Sequence, residues 1–245
     1  MQILIPIATR SAFFPENEFY FPKPLIEIYG RSMISWVVDN LRENIENPHF
    51  TFVINKNDSR RFSIGDALKI DLGDKAKIIE KNKETSGALC SSLLAIDSID
   101  HTQPLLISNC DQYFDCDISS KFENFFEKNA DAGVLTFTSV HPRWSYIIGQ
   151  DGLVTQTFEK IVASKRAIAG VYYFKRAGDF FKHAENPILH NVSLDSNFYI
   201  SSVLNEFILN DKNVVFSDIS ASEYHSFYAP SAIKNFERIL IKRGD

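Results

Sequence analysis

The sequence predicts an α/β fold, and three observations support this class. Residues 3–8 form an apolar run without polar alternation, which is typical of a strand buried on both faces. Apolar residues at helical spacing then alternate along the chain with further short apolar runs. The 245 residues are 44% hydrophobic and 23% charged, which is enough apolar material for a single domain over residues 1–245.

Charge and composition also exclude several functional classes. The formal net charge is −5 and the basic residues are scattered, so neither a nucleic acid nor a membrane surface is an expected partner. No signal peptide and no apolar run of membrane-spanning length is present, and three cysteines without zinc-type pairs suit a reducing compartment. We therefore expect a cytoplasmic protein. The many aromatic residues would serve a core or a homodimer interface equally well.

The first third of the chain predicts a β-α-β-β order. The first strand, residues 3–8, is followed by residues 9–24, a long loop at the place where α/β sheets bind ligands. Met33 to Leu41 have helical spacing, and residues 50–54 and 77–80 read as strands with a helix between them.

The middle of the chain carries two polar segments next to predicted elements. Thr85-Ser86-Gly87-Ala88 is a turn of small residues that leads into a helix. The predicted strand 104–108 ends in Asn109-Cys110-Asp111-Gln112. Asp111 is therefore expected at the carboxyl end of a central strand.

The remaining elements continue the alternation. Helices are predicted at residues 121–128, 178–184, 199–209 and 231–241, and strands at 133–140, 168–174 and 213–216. Residues 146–148 and 153–155 flank Gln150-Asp151-Gly152 as a hairpin.

Several motifs, in this order and spacing, resemble the sugar-phosphate nucleotidyltransferases, especially short bacterial members of capsule and surface-polysaccharide biosynthesis. The resemblance implies a Rossmann-like three-layer sandwich with a mostly parallel mixed central sheet, of the nucleotide-diphospho-sugar transferase type. It also implies transfer of a nucleoside monophosphate from a nucleoside triphosphate to a phosphorylated small molecule, such as a sugar phosphate, with release of pyrophosphate and Mg²⁺ as cofactor. The motifs are Ile5-Pro6-Ile7-Ala8, Phe21-Pro22-Lys23-Pro24-Leu25-Ile26, Gly30-Arg31-Ser32-Met33-Ile34, Thr85-Ser86-Gly87-Ala88, Leu106-Ile107-Ser108-Asn109-Cys110-Asp111-Gln112, His141-Pro142-Arg143-Trp144-Ser145, Glu159-Lys160, Asn197-Phe198-Tyr199 and Asn205-Glu206.

Roles for individual residues follow from that resemblance. Lys23, between two prolines, takes the position of a catalytic lysine that reaches phosphate oxygens, and Asp111 that of the magnesium ligand. A solvated lysine and a helix-capping aspartate are the alternatives. Arg10 remains in the loop as a candidate catalytic cation in place of the arginine of relatives, although its side chain starts from a different point of the backbone. The implied nucleotide-binding residues are Ala8, Thr9, Ser11, Ser86, Gly87, Ala88 and Asn109. For Gly87, an ordinary glycine at a helix start is nearly as good an explanation as close approach of a nucleobase.

The acceptor side is assigned in the same way. Trp144, Glu159, Lys160 and Asn205 match positions that face the acceptor in relatives. His141 and Arg143 flank this set, with the guanidinium suited to a phosphate. A buried aromatic residue, an exposed Glu-Lys pair and an ordinary amphipathic helix explain the same residues without a ligand.

The loop departs from the pattern of relatives, in which a glycine-rich segment ends in an arginine. Thr9 and Ser11 stand where glycines are expected, and Phe13 stands in place of the arginine. Relatives also carry a glycine-threonine turn near residues 227–230 and many have a second metal carboxylate, for which Asp218 and Glu223 are the nearest candidates here. These losses weaken catalysis if nothing replaces them.

Three functions remain open from the sequence. The first is an active, magnesium-dependent nucleotidyltransferase, and the second is a non-catalytic relative that retains ligand binding. The third is a nucleotide-sugar-dependent glycosyltransferase, whose paired acidic metal motif would be Asp115-Cys116-Asp117. The segment around Lys23 argues against the third. The nucleobase and the acceptor are not determined.

Overall fold

The computed structural model describes residues 1–7, 13–15 and 17–244, and a nine-stranded sheet lies at its centre. The strands in this part of the chain are β1 (Gln2–Pro6), β2 (Glu27–Ile28), β3 (Arg31–Ser32), β4 (His49–Asn55), β5 (Ala76–Lys81), β6 (Leu105–Ser108), β7 (Gln112–Phe114), β8 (Ala132–Thr138), β9 (Ser145–Gln150), β10 (Leu153–Glu159), β11 (Arg166–Phe174), β12 (Val214–Asp218) and β13 (Tyr224–Ser226). The α-helices are α1 (Met33–Asn44), α2 (Lys56–Phe62), α3 (Ile64–Leu72), α4 (Gly87–Leu93), α5 (Ser119–Glu127), α6 (Ala177–Leu189), α7 (Ser201–Leu209) and α8 (Pro230–Arg243).

The large sheet is mixed, with the strand order β5-β4-β1-β6-β11-β8-β12-β10-β9. Parallel pairs join β1 to β4 and β6, β4 to β5, and β8 to β12. β11 lies antiparallel between β6 and β8, and β10 is antiparallel to both β12 and β9. Only β10 and β11 therefore run against the common direction of the other strands in this sheet. The predicted mostly parallel mixed sheet is confirmed.

Helices cover both faces of the sheet, which produces three layers. Ile3 and Ile5 of β1 pack on one face with side chains of α1, α3 and α5, while Leu4 packs on the other face with α4, α6 and α7. All three residues are fully buried. Both faces of the strand are apolar because both are covered, which explains the run without polar alternation.

Two short pairs of strands lie outside the main sheet and were not predicted. β2 pairs with β3, directly before α1. β7 pairs with β13, with Gln112 opposite Ser226 and Phe114 opposite Tyr224. The second pair brings the segment around residue 227 next to the end of β6, although more than a hundred residues separate the two in sequence.

Most predicted elements are confirmed, with small shifts at their ends. The single helix expected between β4 and β5 is in fact two helices, because Ser63 adopts a left-handed conformation (φ 53°) that interrupts the helical backbone. The predicted hairpin is present. Asp151 and Gly152 both have positive φ, 53° and 81°, as a two-residue type I′ turn requires. Within the described ranges, no helix is both long and apolar enough to cross a bilayer.

Candidate active site

The carboxyl ends of four parallel strands lie at one edge of the sheet. β1, β4, β5 and β6 run side by side in the same direction, so the residues that follow them share this edge. Asn109 and Asp111 follow β6, and residues 85–88 follow β5. In open α/β sheets, ligands bind outside the carboxyl ends of the strands.

Lys23 and Asp111 form an ion pair at this edge. The Lys23 ammonium donates a hydrogen bond to Asp111 Oδ2 at 2.5 Å, and the two side chains are only 14% and 19% exposed. Burial is the largest influence and would lower the pKa of Lys23, but the Asp111 carboxylate, the neighbouring Cys110 and the hydrogen bond to Asp111 together outweigh it, so the pKa is raised. The lysine is therefore fully charged at neutral pH and is held in a fixed place.

The backbone around Lys23 is restricted on both sides. Pro22 adopts an extended conformation and Pro24 lies in the first turn of the 3-10 helix Lys23–Leu25. The Lys23 ammonium also lies 5.6 Å from the centre of the Phe14 ring. The predicted lysine and aspartate, 88 residues apart in sequence, are thus brought into direct contact.

Buried hydrogen bonds to β11 hold the residues on either side of Asp111 in place. The backbone N–H of Asn109 donates to the carbonyl of Gly170 at 2.9 Å, and the Gln112 side chain donates to the same carbonyl at 3.1 Å. Gly170 has a φ of 66°, and a Cβ there would lie 2.3 Å from the Gln112 side-chain oxygen. The left-handed φ and the close approach of the Gln112 and Asn109 side chains favour glycine here, at a point where the pairing of β11 with β8 is irregular.

The segment after β13 is attached to Asp111 itself. The backbone N–H of Phe227 donates to the Asp111 carbonyl at 2.7 Å, and the Tyr224 hydroxyl donates to Gln112 Oε1 at 3.2 Å. Tyr224 is in ring contact with Trp144, with the centres 6.0 Å apart. Tyr224 thereby connects the ion pair to the residues that the resemblance assigns to the acceptor.

Gly87 is required by the protein's own backbone. Its φ is 92°, and a Cβ would lie 2.4 Å from the carbonyl oxygen and 2.8 Å from the nitrogen of Phe198. Phe198 donates its N–H to the Ser86 carbonyl and accepts from the N–H of Leu89. This close contact supports the explanation of Gly87 as a structural glycine, and nucleotide contacts by Ser86, Gly87 and Ala88 stay predictions.

Glu159 is half-buried at the end of β10. Its Oε2 accepts hydrogen bonds from the hydroxyls of Ser145, at 2.5 Å, and Ser201, at 2.8 Å. Burial raises the pKa of Glu159, and the two hydroxyls oppose this only in part. Both hydroxyls bond to Oε2 and neither bonds to Oε1. The alternative of an exposed Glu-Lys pair on a strand end does not describe this side chain.

Trp144 and Lys160 lie beside Glu159. Lys160 has a left-handed φ of 53° and its N–H donates to the carbonyl of Trp144 at 3.1 Å. Its ammonium lies 5.2 Å from the Tyr199 ring and 3.7 Å from a carboxylate oxygen of Asp195. A hydrogen bond with Tyr199 raises the pKa of Lys160. Three of the predicted acceptor residues, Trp144, Glu159 and Lys160, are therefore neighbours.

Asn205 has a structural role in addition to its predicted one. Its side-chain oxygen accepts from the N–H of Thr157 at 2.8 Å, and its amide donates to the Thr157 carbonyl at 3.0 Å. This pair of bonds attaches α7 to β10. Contact of Asn205 with a substrate stays a prediction, as do the roles of Ala8, Thr9, Arg10 and Ser11, which lie outside the described residues.

Comparisons with known proteins identify the family. A family model described as nucleotidyl transferase matches residues 19–194. The chain belongs to the nucleotidyl transferase family. No curated protein matches the sequence.

Solved structures share the fold of this family member at low sequence identity. A nucleoside-diphosphate-sugar pyrophosphorylase from Vibrio cholerae RC9 is 22% identical with a TM-score of 0.82, covering 96% of this chain and 99% of that one. An inositol-1-phosphate CTP transferase from T. maritima is 14% identical with a TM-score of 0.78, covering 98% and 95%. A UDP-glucose pyrophosphorylase complexed with UDP-glucose is 14% identical with a TM-score of 0.79, covering 99% and 98%.

Neither candidate for a second metal carboxylate lies in a cluster of metal ligands. Asp218 accepts from Thr136 at 2.6 Å and pairs with Arg166 at 3.3 Å, while Glu223 accepts from the N–H of Ser220. Among the described residues, no group of three or more His, Cys, Asp or Glu side chains is placed to hold a metal ion. Asp111 is thus the metal-ligand candidate that remains in this family member.

The paired acidic motif of a glycosyltransferase is not formed. The Asp115 carboxylate pairs with Arg243 in α8, and the Asp117 carboxylate accepts from the hydroxyl and the N–H of Ser119. Two carboxylates with separate structural partners do not make a shared metal site. The structure therefore does not support a nucleotide-sugar-dependent glycosyltransferase function for this nucleotidyl transferase family member.

Two site residues were missed in the sequence. Gly170 and Tyr224 support Asp111, but Gly170 lies inside a run that reads as an uninterrupted strand and Tyr224 follows no motif. A glycine within a strand pattern is a known signal of a bulge or of a close approach of two backbones. That signal was available for Gly170.

Proposed function

We propose that this protein transfers a nucleoside monophosphate from a nucleoside triphosphate to a phosphorylated small molecule. In this reaction a phosphate oxygen of the acceptor attacks the α-phosphorus. A new P–O bond forms, the bond to the bridging oxygen breaks, and pyrophosphate leaves with the electron pair. The observation that carries the proposal is the Lys23–Asp111 pair at the carboxyl edge of the parallel strands.

Lys23 has the properties that this chemistry needs. Both substrates are anionic, and charge spreads over the phosphoryl oxygens in the transition state. A cation that is already held in place stabilises that charge without reorganisation. The prolines on each side and the raised pKa of Lys23 provide such a cation. We assign Lys23 to the phosphate oxygens of the triphosphate.

Asp111 fits a magnesium ion that arrives with the nucleotide. Mg²⁺ is usually bound through one or two carboxylates, with phosphate oxygens and water as the other ligands. Asp111 supplies one carboxylate that already contacts a cation, Lys23. Bound there, the ion would neutralise phosphate charge. Asn109 and Gln112 hold the Asp111 segment in position through Gly170.

The acceptor binds on the side of Trp144 and Glu159. The indole offers a flat apolar face, and Glu159 Oε1 offers a hydrogen-bond acceptor for a hydroxyl or an amine. The names of the solved neighbours, two sugar pyrophosphorylases and a CTP transferase, support an acceptor of the sugar-phosphate or polyol-phosphate kind. The resemblance to capsule enzymes supports a product for surface-polysaccharide synthesis, made in the cytoplasm where nucleoside triphosphates are available. A homodimer is compatible with this site.

The test is pyrophosphate release with CTP, UTP, dTTP, GTP and ATP, each with and without magnesium, against a panel of sugar and polyol phosphates. We expect release with one nucleotide, and a decrease of about a hundredfold or more in Lys23→Met and Asp111→Asn. Lys175→Met is the matched control, because Lys175 follows β11 at the opposite edge of the sheet and bonds Asn129. Equal loss in the control would show a general effect on folding rather than on catalysis.

A non-catalytic binding protein is the second candidate, and Phe13 favours it. Phe13 stands where relatives carry an arginine, and its ring contacts Tyr228 edge-on at 5.7 Å. Nucleotide binding that depends on Lys23, with no pyrophosphate release for any acceptor in the panel, would establish this candidate.

A further inference from the structure

A second cation lies on the acceptor side of the site, in the connection between β8 and β9. The Arg143 guanidinium carbon lies 3.7 Å from the centre of the Tyr228 ring and 5.9 Å from that of Trp144. Stacking on a ring fixes the plane of a guanidinium and leaves its N–H groups free to point outward. Arg143 is therefore a positioned cation rather than a mobile surface side chain.

The described residues do not neutralise this charge. No carboxylate among them forms an ion pair with Arg143. Its polar contacts are to the His141 ring, with Nε 2.9 Å from Nδ1 and Nη2 2.7 Å from Nε2. A neutral imidazole accepts at one nitrogen only, so most of the five N–H donors of Arg143 remain for another partner. Arg143 is half-buried, and burial lowers its pKa because it disfavours the charged form. No carboxylate among the described residues offsets this effect.

Tyr228 connects Arg143 to the catalytic edge. The residue before it, Phe227, donates its N–H to the Asp111 carbonyl at 2.7 Å. The Tyr228 ring also contacts Phe13, and the next residue, Phe14, has the Lys23 ammonium 5.6 Å from its ring centre. A series of aromatic contacts thus connects Arg143 to Lys23, although the two residues come from different segments of the chain.

We propose that Arg143, held on Tyr228, binds a phosphate group in this site. The planar fork of a guanidinium matches two phosphate oxygens, and the absence of a carboxylate partner in the described residues leaves that fork available. The phosphate belongs either to the nucleoside triphosphate or to the acceptor. The inference rests on the proposed function, because it takes the Lys23–Asp111 edge to be the place where phosphates bind. In this protein Arg143 would supply a phosphate-binding cation. At position 13, where relatives carry an arginine, the Phe13 ring instead contacts Tyr228.

The experiment is calorimetric titration of the full chain with inorganic tripolyphosphate and, separately, with orthophosphate. We expect Arg143→Gln to weaken at least one of the two by about tenfold or more, as the loss of a charge-assisted hydrogen bond implies. Arg143→Lys keeps the charge but not the fork and should lie between wild type and Arg143→Gln. Tyr228→Leu should weaken binding because it removes the platform, whereas Tyr228→Phe should bind as wild type does.

The pattern of losses identifies the source of the phosphate. A loss for tripolyphosphate alone assigns Arg143 to the nucleotide, and a loss for orthophosphate alone assigns it to the acceptor. The matched control is Arg176→Gln, which removes the same charge at the opposite edge of the sheet, where Arg176 pairs with Asp179. We expect no change in the control, and an equal decrease there would overturn the inference by showing a general charge effect.

Two other outcomes separate this inference from the proposed function. If Arg143→Gln binds both probes like wild type while Lys23→Met binds tripolyphosphate more weakly, the inference is wrong and the proposed function stands. If wild type binds neither probe, the inference is wrong, while the proposed function is decided separately by pyrophosphate release. Circular dichroism and the melting temperature of each variant show whether a loss reflects unfolding, and Arg143→Lys and Tyr228→Phe provide the folded comparison in that case.

Discussion

Replacing Gly87 with alanine tests whether the protein's own backbone or a nucleobase requires this glycine. Alanine at a φ of 92° is strained, at roughly 1 to 2 kcal/mol. Its Cβ would lie 2.4 Å from the Phe198 carbonyl oxygen, a backbone atom that cannot turn away as a side chain does. Overpacking of this kind costs about 1 to 3 kcal/mol more. We therefore expect Gly87→Ala to lower the free energy of unfolding by about 3 kcal/mol, without any ligand present.

Gly30 provides a matched control for the strain alone. Its φ is 78°, similar to that of Gly87, but a Cβ there would meet no atom within 4 Å. Gly30→Ala should therefore cost only the conformational part, about 1 kcal/mol. Urea denaturation of wild type and the two variants measures the difference directly, and the melting temperature should follow at about 2 to 4 °C per kcal/mol.

The result that would refute this reasoning is equal stability of the two variants. If Gly87→Ala is no less stable than Gly30→Ala but binds nucleotide more weakly, close approach of the nucleobase explains the glycine. If Gly87→Ala loses stability as expected, the contact with Phe198 explains it, and any loss of nucleotide binding follows from a displaced turn.

Three further predictions concern other contacts of the site and its surroundings. The pKa of Glu159 is raised above its ordinary 4.5, so the folded protein holds this proton more tightly than the unfolded chain, and stability decreases as pH rises above 4.5. Glu159→Gln should remove that decrease, which denaturation of both proteins at pH 4 and pH 7 measures; a parallel pH dependence would contradict the assignment. Asn205→Ala leaves the buried N–H and C=O of Thr157 without their partner and should cost about 1 to 3 kcal/mol in urea denaturation, and a cost near zero would show that water replaces the amide. Arg243→Ala breaks a partly exposed pair with Asp115 and should cost at most about 1 kcal/mol, with unchanged pyrophosphate release; loss of activity would mean that α8 contributes to the site.

Sequence patterns were sufficient to predict most of the helices and strands because buried residues recur along the chain in patterns typical of each element. The apolar runs of β1 and β6 are buried on both faces, and the apolar side of α1 follows its 3.6-residue repeat. The position of Asp111 also followed from the pattern, since it comes directly after a strand whose parallel neighbours end at the same edge. The pairing of Lys23 with Asp111 follows from no local rule and was not predicted.

Other parts of the site depend on contacts between distant segments, and local patterns do not contain them. Ser63 divides one predicted helix into two through a single backbone angle. Gly87 must be a glycine because the backbone of Phe198, more than a hundred residues away, lies against it. The Asn205 side chain accepts a hydrogen bond from the backbone N–H of Thr157. Amphipathic spacing cannot distinguish such an asparagine from one that faces a ligand.

The sequence by itself determined the α/β class and the strand end at which Asp111 lies. These features depend on local periodicity and on residue type, which the chain carries at every position. Only the tertiary structure decided that Lys23 is charged against Asp111, that Gly170 and Tyr224 support that pair, and that Arg143 is held on Tyr228 without a carboxylate among the described residues. Those properties depend on distance and burial between segments far apart in sequence, which exist only once the sheet has assembled.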